Sequence, residues 1–143
     1  MDSVNLERFV EAQEPVYSQV LVELRRGRKE SHWMWFIFPQ LAGLGRSRMA
    51  HYYGIGSLAE AAAYLSHPLL GPRLAECTDA LLAHAGSSAA AILGAVDAVK
   101  LRSSMTLFAK VPGASNCFAR CLSVFFSGDE DSSTLALIAA QEP

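Results

Sequence analysis

Apolar residues recur along most of this chain at helical rather than alternating spacing. Leu6, Phe9, Val10 and Gln13 open a stripe, and Pro15 marks a break or a new first turn. Val16, Val20, Leu21 and Leu24 continue it as far as Gly27, a glycine placed to end a helix just after Arg25 and Arg26. Ser57-Leu-Ala-Glu60 has the pattern of a capping box and opens an alanine-rich helix to about Ser66. After Pro68 the stripe resumes with Leu70, Leu74, Cys77, Leu81 and Leu82, and Gly86 stops it. Ser87 or Ser88 caps the short "AAAILG", and Asp97 caps or begins a helix with Ala98, Leu101, Met105 and Phe108 on one side. "NCFARCLSVFFSG" predicts a further helix ending at Gly128, and Asp131 or Ser132 caps "TLALIAAQ". The pattern predicts an all-α protein of about six to eight helices, one domain over 1–143.

Residues 32–38 fit a buried strand or a buried helix equally well by periodicity. Backbone hydrogen bonding separates the two. A lone strand in a helical chain leaves its N–H and C=O groups without partners, whereas a short helix satisfies most of its own. The expectation is therefore a buried helix with Ser31 as N-cap, ending near Pro39.

Composition narrows the class. The chain is 51% hydrophobic and 18% charged over 143 residues, enough to bury a core and unlike a disordered segment. No apolar run reaches the roughly 18 residues that a membrane span needs, and "MDSVNLERF" lacks the regions of a signal peptide. A cytoplasmic protein without a membrane partner is expected. Cys77, Cys117 and Cys121 form no CxxC pair and no four-ligand set, so they read as buried thiols, with no metal and no cofactor.

The net charge of −2 argues against extended nucleic acid as a partner. Locally, however, Arg25, Arg26, Arg28, Lys29, Arg46 and Arg48 stand against Glu30 alone between positions 25 and 48. That imbalance fits either an anion site or a solvated charged turn.

"GRKESHWMWFIFPQLAGLGRS", "AEAAAYLSHPLLGPRL" and "DAVKLRSSMTLF" together resemble the bacterial family called domain of unknown function 1810, over about residues 5–138. The resemblance implies a small all-helical domain and no established reaction. "SHWMWF" and "HPLLGPRL" are also similar, more distantly, to ADP-ribose-processing proteins related to a riboflavin-pathway N-glycosidase. That likeness implies N-glycosidic bond cleavage, although Ser31 stands where those proteins carry an acidic residue before the histidine.

Three constellations carry candidate chemistry. In "GLGRSR", Gly43 and Gly45 permit close backbone approach, Ser47 can cap a helix, and Arg46 adds charge for an anion; an ordinary capped turn has the same residues. In the aromatic segment, Trp33 and Trp35 point about 200° apart on a helix. One belongs to the core, while the other, with His32 and Lys29, offers a stacking and acid–base surface. Farther on, Asp97, Lys100 and Ser104 share a helix face. They make an ion pair beside a hydroxyl that could hold phosphate, or supply a lysine nucleophile. His32, Lys100 and Asp97 are the catalytic candidates; Lys29, Trp33, Trp35, Gly43, Gly45, Arg46, Ser47 and Ser104 are the binding candidates. The favoured partner is a small anionic or nucleotide-like molecule bound by a monomer or homodimer enzyme. A non-catalytic binding or interaction module is the alternative.

Overall fold

The computed structural model describes residues 5–141. Among these residues ten helices follow one another: α1 (Glu7–Gln13), α2 (Tyr17–Arg26), α3 (Met34–Ile37), α4 (Arg48–Tyr52), α5 (Leu58–Ser66), α6 (Leu70–Leu82), α7 (Ala89–Leu93), α8 (Ala95–Ala109), α9 (Cys117–Phe126) and α10 (Ser132–Gln141). The all-α expectation holds among the described residues. The helices outnumber the six to eight expected because Pro15 separates α1 from α2 and because α3, α4 and α7 are barely more than single turns.

The central beams are α6 and α8. The first packs on α2, α5 and α9, and the second on α5, α7, α9 and α10. Because so many elements cover α8, its burial exceeds the predicted stripe. Ser103, Ser104, Thr106 and Leu107 are buried along with Ala98, Leu101, Met105 and Phe108. Thr106 offsets its burial locally, since its hydroxyl donates to the Arg102 carbonyl at 2.8 Å and accepts from the Asp131 N–H at 2.9 Å.

Most local stop and start signals act as read. Gly27 ends α2 with φ 74°, and a Cβ there would lie 3.0 Å from the His84 ring. Ser47, Ser57, Ser88 and Asp131 accept from the backbone N–H three residues on and so cap their helices. Glu60 departs from the capping-box pattern by accepting from the Gly56 N–H at 2.6 Å, one residue early. Its other oxygen is engaged by Arg8 at 3.1 Å. The start of α6 has a cap that the sequence did not suggest. His67 Nδ1 accepts from the N–H groups of Leu69 and Leu70 at 3.1 and 3.3 Å.

Ser31 is a correction. The buried helix covers only Met34–Ile37, Trp33 occupies its N-cap position without a side-chain bond, and Ser31 lies outside it. The Ser31 hydroxyl instead donates to the carboxylate of Glu23. That carboxylate is fully buried and accepts five hydrogen bonds: from Gln19, from the backbone and hydroxyl of Ser31, from the backbone of Glu30, and from the Trp33 indole N–H at 2.9 Å. Burial alone would raise its pKa; the donors, led by the Ser31 hydroxyl, outweigh that and hold it well below the usual carboxylate range.

Removing this acceptor strands several buried donors, so Glu23→Ala should lower stability in urea by roughly 3–5 kcal/mol. A depressed pKa stabilises the fold above the unfolded value, about 4.3, and that contribution disappears as pH falls toward the folded value. Thermal melts should therefore show a shallower acid limb in Glu23→Gln than in the parent protein.

Candidate functional site

The segment 40–54 folds over the start of α8 and leaves a cleft of about 360 Å³ between them. Two contacts close the segment at its base. Leu41 and Ile55 form a parallel bridge, with the Ala42 N–H on the Ile55 carbonyl and the Ile55 N–H on the Gln40 carbonyl, each at 2.8 Å. Gly54 lies so near the opposite arm that a Cβ there would come within 2.7 Å of Ala42. Arg8, reaching across from α1, then ties the end of the segment, with Nε on the Tyr52 carbonyl at 2.6 Å and Nη2 on the Gly54 carbonyl at 2.9 Å.

The cleft is lined mainly by Trp35, Leu41, Leu44, Tyr53, Val96 and Val99, with the Gln40 amide and the Lys100 ammonium as its polar groups. Gly45, Ala50 and Gly54 complete it. The choice between the tryptophans follows from α3. Trp33 turns inward, 1% exposed, toward Glu23, and Trp35, two residues on, lines the cleft. Gln13 secures α3 by donating to the Phe36 carbonyl at 2.8 Å.

Beside Trp35 lies a cluster of three charges. Asp97, in the first turn of α8 where the helix dipole favours a carboxylate, pairs with Lys29 at 2.9 Å and with Lys100 at 3.3 Å. Lys29 Nζ stands 5.1 Å from the Trp33 ring centroid and Lys100 Nζ 3.9 Å from that of Trp35, both in cation–π range. The three side chains are 9%, 17% and 20% exposed for Lys29, Asp97 and Lys100, so their attractions are only partly screened.

The other candidates lie elsewhere. His32 is exposed and does not line the cleft. Gly45 lines it and Gly43 does not; Arg46 and Ser47 are exposed, and the Ser47 hydroxyl is committed to capping α4. Ser104 is fully buried, outside the cleft lining, with no partner for its hydroxyl among the described residues. Part of the basic run is paired: Arg25 with Glu76 at 3.5 Å and Lys29 with Asp97 at 2.9 Å, both from far along the chain, and Arg26 with the neighbouring Glu30 at 2.7 Å.

Sequence reasoning missed Gln40, Leu44, Tyr53, Val96 and Val99. The valines carried a readable signal, because they sit off the apolar stripe of α8 on the same side as Lys100. Tyr53 carried none. Burial raises its phenol pKa above the ordinary value.

Among the described residues no group of three or more His, Cys, Asp or Glu side chains comes together to hold a metal ion. All three thiols are free and buried. Burial pushes Cys77 and Cys121 up to about 12 and raises Cys117 as well. None of the described helices is long and apolar enough to cross a membrane.

The fold and the sequence both have a counterpart among known proteins. The chain belongs to the family described as "Protein of unknown function (DUF1810)", whose model matches residues 3–138. It is similar to the conserved hypothetical protein Rv1873 from Mycobacterium tuberculosis, known from a crystal structure, with 54% identity and a TM-score of 0.94. The likeness covers 96% of this chain and 99% of that one. No curated protein matches it.

Asp97→Asn, which leaves two lysines without their shared counter-ion, should cost roughly 1–3 kcal/mol, whereas Lys100→Met should cost under about 1 kcal/mol. Urea denaturation of both variants reads the difference. The thiols should resist a disulfide reagent at about pH 8 in the folded protein and react together once it is unfolded.

Proposed function

We propose that the protein is a cytosolic binding domain, monomeric or homodimeric, whose cleft under segment 40–54 receives a flat, anionic small molecule, a class that includes nucleotide-like and aromatic acid ligands. The observation that carries this reading is the pairing of Trp35 with Lys100. A half-buried aromatic ring and an ammonium 3.9 Å from its centroid share one concave site of ligand size. Leu41, Leu44 and Tyr53 supply the apolar walls that a planar ring needs, and the Gln40 amide supplies a directional group.

Binding is favoured over turnover for a chemical reason. Bond cleavage of the N-glycosidase kind calls for a group that moves a proton at the reacting atom. The titratable side chains lining this cleft are Tyr53, whose phenol burial makes a weaker proton donor, and Lys100, held by Asp97. His32, the histidine of the aromatic segment, is exposed to solvent and off the cleft lining.

The test is a thermal-shift and calorimetric panel of ADP-ribose, NAD, pyrophosphate, simple aromatic acids and their amides. A ligand at ten times its Kd should add about 1.4 kcal/mol of stability. Trp35→Ala should weaken it about tenfold or more, the usual size of a lost stacking contact. Stabilisation that survives Trp35→Ala unchanged would place the ligand elsewhere and refute the reading.

A further inference from the structure

We propose, resting on the reading of this cleft as a ligand site, that it selects a singly charged aromatic acid over both the neutral analogue and a polyphosphate. The first argument is charge balance. Lys29 and Lys100 place two ammonium groups around the single carboxylate of Asp97, a net positive charge that reaches the cleft wall through Lys100. These groups are mostly withdrawn from water, so one incoming anion is strongly favoured and a second negative charge would be desolvated without a partner. Arg46, the neighbour of Gly45 in sequence, is exposed and is not part of the lining.

The second argument is shape. About 360 Å³ lies near the lower end of the roughly 300–1,000 Å³ of small-molecule sites, room for one or two fused rings with an acid group. Because Lys100 Nζ stands against the Trp35 ring, a carboxylate that reaches the ammonium is drawn alongside the indole. Its apolar body then extends between Leu44 and the outer lip of α8. That lip consists of Val96 and Val99, which are 70% and 63% exposed. Two valines so open to water at the mouth of an apolar cleft are accounted for by a ring that covers them.

The experiment compares naphthoate, naphthamide and ADP-ribose by calorimetry and by tryptophan fluorescence on the intact chain. Naphthoate should bind about tenfold more tightly than naphthamide, the size of one charge-assisted hydrogen bond, and that advantage should shrink with added salt. Lys100→Gln should remove the difference in affinity between the acid and the amide. Equal affinity of acid and amide in the parent protein, or tighter binding of ADP-ribose than of naphthoate, overturns the selectivity and leaves the cleft reading intact. Failure of all three probes to bind removes the cleft reading and this inference with it.

Discussion

A buried carboxylate with no cation partner among the described residues organises this protein. Glu23 draws donors from α2 and from the turn that follows it, and each satisfies part of a charge that would otherwise be costly to bury. The consequences spread outward. Holding the Glu30 and Ser31 amides pins the turn after α2, and holding the Trp33 indole sends that ring into the core. Two residues on, Trp35 then faces the cleft. The same turn brings Lys29 against Asp97 of α8.

Helix α8 has two parts with different environments. Its C-terminal half is a core beam, where Met105, Leu107 and Phe108 are buried and the tilted rings of Tyr64 of α5 and Phe118 of α9 pack against Phe108 at centroid distances of 5.4 and 5.8 Å. Its N-terminal half carries Val96, Val99 and Lys100 to the cleft. Rigidity in the first part gives the second a fixed position, which is what a preformed site requires. The opposing wall is not a long regular element, so its shape relies on Arg8, the Leu41–Ile55 bridge and the close approach at Gly54.

Helix boundaries were readable from the sequence because their causes are local. Ser57, Ser88, Gly27 and Asp131 each act within a few residues, through a cap hydrogen bond or a left-handed backbone, and the apolar periodicity between them defined the buried faces. Asp97 and Lys100 were readable as a pair for the same reason, being one helical turn apart. Ser31 looked like a cap by the same local rules and is not one, since the carboxylate of Glu23, eight positions back, competes for its hydroxyl.

The chain's own pattern thus determined an all-helical fold, its main caps, most of its core and the presence of an aromatic, basic segment of unusual composition. Tertiary structure decided which tryptophan meets a ligand-sized space, that Lys29 joins Asp97, and that Arg25 meets Glu76 from far along the chain. It also drew Tyr53, Leu44 and Val99 into one cleft and left His32 outside it. Caps and periodicity arise from neighbours a turn apart, which any short window of sequence contains. Ion pairing, burial and cavity shape depend on which distant segments are brought within a few ångströms, and that is set by packing of the whole chain.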